Sequence, residues 1–334
     1  MGSASRYVEQ LSRLLTPTLT AEKNFREALQ QRYGIGERYT RAYLKYFQAA
    51  HAVKLVSPAD VERLPETRRM WFDYALSTNW RGEAVVAEVQ KHRNFDGARY
   101  LDIGCGFGGF LVAGSRAGAT CVGIEIDTER IRFARENLAD FDIPAPVHEM
   151  DALDPSVEDR VGKFDIITCN DVAEHVDSAS RLFANIRRLL RPAGIAYLEI
   201  PNRYSVDFVA SDGHFGLFGI TLLDRKDAIA YHAERFQYPD DIGDYWSLEE
   251  YLAFLDEAGL RATLIPSLHH PTRPIAELND RLDFLDAASN PDPVITPHYQ
   301  HYRARLEADR TELDEESFRN RYMRNFWTFL VTPS

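Results

Sequence analysis

Several features are scarce in this chain of 334 residues, and each scarcity excludes a class of protein. It has only three cysteines, Cys105, Cys121 and Cys169, and they form no Cys-x-x-Cys pair. We therefore expect buried reduced thiols and no disulfide framework. No apolar run reaches the roughly 18 residues of a transmembrane helix, and Met1–Tyr7 lacks the apolar centre of a signal peptide. The sequence predicts a cytoplasmic protein with no membrane partner.

Positive charge is also in short supply, because 51 acidic residues outnumber 39 lysines and arginines and leave a formal net charge of -12. Binding to a DNA or RNA backbone depends on clustered lysines and arginines, so we expect no nucleic-acid partner. The adjacent His269 and His270 lack a third ligand at metal-binding spacing. The sequence therefore predicts no metal site.

The most informative segment is an apolar strand that runs into a glycine-rich turn, Tyr100–Gly109, with a helix expected at Phe110–Ala117. Glycines let the backbone turn sharply and approach a ligand where a Cβ atom would clash. The loop and the helix N-terminus also offer N–H groups to a ligand. This order of strand, loop and helix predicts a site for a nucleotide-type cofactor.

Strands and helices alternate from Arg99 onward. The predicted strands are Tyr100–Ile103, Thr120–Ile126, Pro146–Met150, Phe164–Cys169 and Ile195–Ile200, and the helices between them include Thr128–Leu138 and Ser178–Leu190. Apolar runs in the strands indicate a parallel sheet that is buried on both faces. The pattern predicts a doubly wound α/β domain whose ligand lies across the carboxyl ends of the strands.

Two helical regions accompany this core. Residues 1–95 are predicted to be a helical cap or dimerisation region, with helices at Arg41–Val56 and Arg81–His92. The core takes in residues 96–265, which end with a helix at Trp246–Gly259 and a strand at Arg261–Ile265, and residues 326–334, with a last strand at Phe326–Val331. Residues 266–325, with two predicted helices and several prolines, form an insertion that we interpret as a substrate cap or an interface.

The glycine spacing Gly104-x-Gly106-x-x-Gly109 also fits a dinucleotide-binding dehydrogenase, so other residues have to identify the cofactor. Asp102 would repel a pyrophosphate but would attract a cationic amino group. Glu125 ends the second strand, where an acid accepts hydrogen bonds from both ribose hydroxyls. A ribose and an ammonium group together describe S-adenosylmethionine.

Further cofactor contacts are expected beside these two acids. Asp151 follows the third strand and can accept from the adenine amino group, while Met150 and Ala152 pack on the ring. The predicted cofactor-binding residues are Asp102, Gly104, Cys105, Gly106, Glu125, Ile126, Asp151, Ala152 and Asn170. We expect the aromatic residues Trp71, Phe72, Tyr74 and Trp80 to make core contacts and some of them also to cover the cofactor, with Arg81 near its carboxylate.

The chain resembles the class I S-adenosylmethionine-dependent methyltransferases in four motifs that follow the family's order. They are Asp102–Gly108, Glu125, Asp151 with the stretch Phe164–Val176, and Leu190–Gly194. The resemblance implies a seven-stranded Rossmann-like sheet whose last strand is antiparallel between the fifth and sixth. The Glu174-His175 pair looks most like the small-molecule branch, such as the quinone O-methyltransferases. The Asn/Asp-Pro-Pro-Tyr motif of nucleobase amino-methyltransferases is missing after the fourth strand.

The candidate catalytic residues are His214, His175, Glu199 and Asp171. A hydroxyl acceptor must lose a proton, which favours His214 or His175 as a general base. An amine or guanidine acceptor would instead be held by Asp171, Glu174 or Glu199, and Glu199 has a structural alternative as a partner of Arg203. We expect methyl transfer to oxygen or nitrogen of a small molecule, with a non-catalytic cofactor-binding scaffold as an open alternative. A homodimer is left open as the assembly.

Overall fold

The computed structural model describes residues 20–238, 242–270, 272–288 and 292–334. Met1–Tyr7, which supported the predicted location, lies outside the described residues. The helices that precede the first strand are α1 (residues 20–33), α2 (Glu37–His51), α3 (Pro58–Glu62), α4 (Glu66–Leu76) and α5 (Thr78–Val89). The buried faces of α1, α2 and α4 form an aromatic-rich cluster that also includes Phe133 from the α/β core. The N-terminal helices therefore pack directly onto the core.

The centre of the molecule is a seven-stranded sheet with the order β3-β2-β1-β4-β5-β7-β6. Its strands are β1 (Arg99–Ile103), β2 (Thr120–Glu125), β3 (Val147–Glu149), β4 (Phe164–Asn170), β5 (Leu190–Pro201), β6 (Leu260–Ile265) and β7 (Phe326–Pro333). The first five strands pair in parallel, and β7 is antiparallel to both β5 and β6. The predicted fold class and the predicted position of the last strand are confirmed.

Helices cover both faces of the sheet and bury two separate apolar clusters. They are α6 (Gly109–Arg116), α7 (Thr128–Ala139), α8 (Val157–Val161) and α9 (Ala179–Leu189). Asp127 accepts from the N–H groups of Glu129 and Arg130 and so begins α7, while Ser178 begins α9 in the same way. The free cysteines Cys105, Cys121 and Cys169 are buried, as predicted.

The remaining elements are α10 (Val206–Ala210), α11 (Arg225–Ala233), α12 (Leu248–Glu257), α13 (Leu278–Ala288), α14 (Ile295–Glu312) and α15 (Glu315–Phe318), with a π-helical turn at Arg319–Met323. The segment after β5 and the insertion before β7 share one apolar cluster, in which Val206 and Leu222 join Leu282 and Tyr302. Together they form a layer beyond the carboxyl end of β5. Across the described residues, no helix has the length and apolar character needed to cross a membrane.

Several predicted boundaries were wrong by a few residues. The helix predicted at Arg41–Val56 ends at His51, because Ala52 adopts a left-handed conformation with φ of 50°. The Gln48 side chain then accepts the Leu55 N–H at 2.8 Å and holds the chain in its new direction. The strand predicted at Pro146–Met150 is shorter in the structure and covers only Val147–Glu149.

Candidate functional site

The glycine loop after β1 lies against a cavity of about 210 Å³ at the carboxyl ends of β1 to β4. Gly104, Gly106 and Gly108 all have positive φ, which side chains rarely tolerate. A Cβ atom at Gly104 would lie 2.4 Å from the Val172 side chain. This loop therefore requires glycine both for its backbone conformation and for the approach of the next loop.

The expectation that this loop offers free N–H groups is wrong for its first three residues. Gly104 and Cys105 both donate to the Ile124 carbonyl, and Gly106 donates to Glu125 Oε2 at 2.9 Å. The Cys105 thiol packs toward Gly123 in the core. Because the loop is tied to β2 in this way, its shape is fixed before any ligand arrives.

Glu125 lines the cavity and is held rigidly at its floor. Its Oε1 atom accepts from the N–H groups of Ile126 and Asp127 at 2.8 and 3.0 Å. The Oε2 atom accepts only the Gly106 N–H and has capacity for a second donor, so a ribose hydroxyl can still bind there. Ile126 also lines the cavity and is 67% exposed, which suits an apolar side chain that a ring would cover.

Asp151 and Ala152 line the same cavity beside Met150, as the sequence predicted for an adenine site. Asp151 Oδ1 accepts the Leu153 N–H at 2.8 Å, which orients the carboxylate. The predicted residues Gly104, Glu125 and Ile126 complete one wall. The structure thus brings these predicted cofactor residues to one cavity, although they come from three different strand ends.

Asp102 in β1 and Asn170 at the end of β4 do not line this cavity, and both have unused polar atoms. Asp102 is 3% exposed; its Oδ1 accepts from Thr168 at 2.7 Å, whereas Oδ2 is buried without a partner. Burial, with the nearby charge of Glu125, raises the pKa of Asp102 to about 7. Both amide atoms of Asn170 are also buried without partners. Unmatched buried polar groups are costly, and the amino group of S-adenosylmethionine would suit the Asp102 oxygen.

A second cavity, of about 380 Å³, adjoins the first and shares Arg130, Asp171 and His175 with it. Its lining is dominated by aromatic side chains from the N-terminal helices, the core and the layer beyond β5: Tyr43, Tyr46, Phe47, Trp71, Tyr74, Phe107, Phe133, Phe208, Tyr245 and Phe326. The helix predicted at Arg41–Val56 carries Tyr43, Tyr46 and Phe47, but no local pattern assigned these residues to a site. Only the packing of α2 against α7 gives them that position.

Asp171 stands where the two cavities meet. Its Oδ2 atom accepts from Tyr74 at 2.7 Å and from Arg81 at 3.1 Å, and Arg81 also lies 3.8 Å above the Tyr74 ring. Its Oδ1 atom is buried without a partner. Arg81 therefore holds a protein carboxylate, and an interaction with the carboxylate of the cofactor would have to compete with that pair.

Glu199 is buried and lines neither cavity. Thr328 and Ser267 donate to its Oε2 atom at 3.1 and 3.2 Å, and burial together with the charge of Asp171 raises its pKa to about 7. The alternative pairing with Arg203 was wrong, because Arg203 donates to the main-chain carbonyls of Thr221 and Leu223. Its protein partners favour a structural role for Glu199.

The two candidate histidines lie together in the wall of the aromatic cavity. The rings of His175 and His214 have centroids 5.0 Å apart, and Tyr245 contacts His214 Nδ1 at 3.3 Å. Glu174, which is 1% exposed, lies 4.0 Å from His175 Nε2. Burial lowers the pKa of His269 to about 4, and its Nε2 atom has no partner.

Residues 78–265 match the family model described as a methyltransferase domain, and this is more than half of the chain. The chain therefore belongs to the methyltransferase domain family. Its cofactor is S-adenosylmethionine, as its strand-end acids predicted.

Its curated relatives include two proteins named ubiquinone biosynthesis O-methyltransferase. The one from Paracidovorax citrulli is 26% identical over 159 residues, which cover 46% of this chain and 66% of the relative. The one from Actinobacillus pleuropneumoniae is 33% identical over 122 residues, which cover 34% and 50%. The chain thus spans between about half and two thirds of these relatives. A solved S-adenosylmethionine-dependent methyltransferase from Clostridium acetobutylicum is 13% identical, with a TM-score of 0.46, and covers 77% of this chain and 91% of that one.

Proposed function

We propose that this chain is an S-adenosylmethionine-dependent O-methyltransferase that acts on a small aromatic molecule. The aromatic-lined cavity that adjoins the cofactor cavity carries the proposal, because its 380 Å³ volume suits a small ring system. The relatives' names, which refer to O-methylation in quinone biosynthesis, favour the same acceptor chemistry.

The residues of this chain would mainly bind, orient and deprotonate. When bound, the cofactor supplies a methyl group on a positively charged sulfur, which is a good leaving group. Glu125, Asp151 and Asp102 hold the cofactor, and the aromatic wall aligns the acceptor with the methyl group and excludes water. His214 or His175 removes the hydroxyl proton of the acceptor as a general base.

The helical regions outside the sheet are proposed to form the acceptor site. Residues 20–95 supply Tyr43, Trp71 and Tyr74 to the cavity wall, and the insertion supplies His270, whose ring stacks on Phe326 at 4.2 Å. We therefore assign both regions to substrate binding. The homodimer, the cytoplasmic location and the absence of a nucleic-acid partner stay predictions.

A nitrogen acceptor is the second candidate, since Asp171 and Glu174 place carboxylates on the same wall. An amine would need to lose its charge to react but would be drawn to these acids. A hydroxyl acceptor needs the imidazoles instead. The two candidates therefore differ in the acceptor that is consumed. A scaffold would bind the cofactor and consume no acceptor.

The test is incubation with methyl-labelled S-adenosylmethionine and host-cell extract, followed by size fractionation of the label. Purified aromatic acceptors are then compared in pairs that differ only by a hydroxyl or an amino group. Low-mass label and transfer to the hydroxyl member support the proposal. Label on macromolecules, transfer to the amino member alone, or S-adenosylhomocysteine binding without turnover contradicts it.

A further inference from the structure

One cation in the wall of the two cavities has no counterion among the described residues. Arg130, in the first turn of α7, lines both the cofactor cavity and the aromatic cavity and is half-buried. Within the described ranges, its guanidinium forms no ion pair and donates no hydrogen bond. An arginine is always charged and offers five N–H donors. The wall therefore presents a positive charge that is available to a ligand.

The helix itself does not explain this charge. Arg130 is the third residue of α7, where the helix dipole presents its positive end and disfavours a cation. Asp127 accepts the main-chain N–H of Arg130 at 3.0 Å and so caps the helix without using the guanidinium. The position of the charge is therefore unfavourable for the helix, and an anion bound beside it would offset that cost.

The acids that line the same aromatic cavity are engaged elsewhere. Asp127 accepts the N–H groups that begin α7, and Glu129 binds the Arg132 guanidinium at 2.8 Å. Asp171 is held by a tyrosine and an arginine from the N-terminal helices, and Glu174 is buried beside the histidine pair. The guanidinium on α7 thus does not serve to neutralise the acids of this wall.

The cofactor does not supply an anion at this end of its cavity. Arg130 shares the cavity wall with Glu125 and Ile126, where the ribose and the adenine ring are expected, and both of these groups are uncharged. The carboxylate of the cofactor lies at its other end, next to the amino group that suits Asp102. The acceptor, which would occupy the second cavity that Arg130 lines, is therefore the better source of a counterion.

We propose that Arg130 binds an anionic group of the acceptor, which makes the substrate an aromatic hydroxyl compound with a carboxylate or a phosphate group. This inference rests on the proposed function. The planar guanidinium matches the oxygens of either group with two parallel hydrogen bonds, and salt screens a half-buried pair less than a surface pair. With the acceptor hydroxyl at His175 or His214 and the anionic group at Arg130, two attachment points orient the ring for methyl transfer.

The test compares acceptors that differ in charge. Phenols with a carboxylate or a phosphate group are matched with phenols that carry an uncharged carboxamide at the same ring position. Calorimetry on the full chain saturated with S-adenosylhomocysteine gives their affinities, and assays with S-adenosylmethionine give kcat and KM. One anionic series should bind about tenfold more tightly than its neutral match, and the series that does so identifies the group as carboxylate or phosphate. Arg130→Gln should remove this preference, and Arg130→Lys should keep part of it.

Arg38→Gln is the matched control, because Arg38 is exposed, lines neither cavity and loses the same charge. This variant should bind every phenol as the wild type does. Equal affinity for anionic and neutral phenols, or a preference that survives Arg130→Gln, would overturn the inference. A loss of S-adenosylhomocysteine affinity in Arg130→Gln would also overturn it, because the residue would then serve the cofactor. Anion-selective binding without methyl transfer supports the Arg130 site and refutes the proposed function, whereas equal kcat/KM for charged and neutral phenols refutes only the inference.

Discussion

Replacing Glu125 should separate cofactor binding from the rest of the site. In Glu125→Ala, the ribose would lose a charged acceptor, so S-adenosylhomocysteine binding should weaken by about 2 kcal/mol, or roughly 30-fold. The same change removes the acceptor of the Gly106, Ile126 and Asp127 N–H groups. The glycine loop should therefore loosen as well, and the free energy of unfolding should fall.

Isothermal calorimetry measures the affinity for S-adenosylhomocysteine, and urea unfolding measures the free energy of unfolding. Glu149→Ala is the matched control, because Glu149 pairs with Glu125 in the β2–β3 register but is exposed and lines neither cavity. The control should bind as wild type does. Unchanged affinity in Glu125→Ala would refute the assignment of this carboxylate to the ribose, whatever happens to stability.

Three further predictions test other parts of the molecule. Burial raises the pKa of Asp102 to about 7, so the contribution of this carboxyl group to stability is full below about pH 4 and is lost as the pH rises to about 7. The Asp102→Asn variant should then show a smaller fall in urea stability between pH 5 and 8 than the wild type. A fall equal to that of the wild type would contradict this pKa. Trp71→Ala should raise the KM for the acceptor about tenfold without weakening S-adenosylhomocysteine binding, whereas Trp80→Ala, outside that cavity, should leave KM unchanged. Asp140→Ala should lower the free energy of unfolding by about 1 kcal/mol, because Asp140 accepts the first-turn N–H groups of α2 at Arg38 and Tyr39. Equal stability of variant and wild type in urea would show that this cap does not hold the N-terminal helices.

The cofactor side of the site could be predicted from sequence because its determinants are local. Gly104 follows directly on β1, Glu125 is the last residue of β2, and Asp151 comes two residues after β3. In a parallel sheet the carboxyl ends of such strands meet at one edge. A strand pattern is therefore enough to bring these residues together, even when a boundary such as that of β3 is misjudged.

The acceptor side could not be predicted in the same way, because no local pattern records which loops and helices face each other. Tyr43 and Trp71 reach the cavity through the packing of the N-terminal helices on α7. His214 reaches His175 because the loop after α10 folds back over the turn after β4. The partners of Glu199 were missed for the same reason, as Ser267 and Thr328 lie on elements far along the chain.

A base role of the two histidines can be separated from a role in shaping the cavity. A general base must keep a lone pair for the acceptor proton. If His175 or His214 is the base, replacing it by Gln lowers kcat while the affinity for S-adenosylhomocysteine stays that of the wild type. If the rings only shape the acceptor cavity, the same variants raise the KM for the acceptor and keep kcat. The split between kcat and KM therefore decides how the acceptor oxygen is activated.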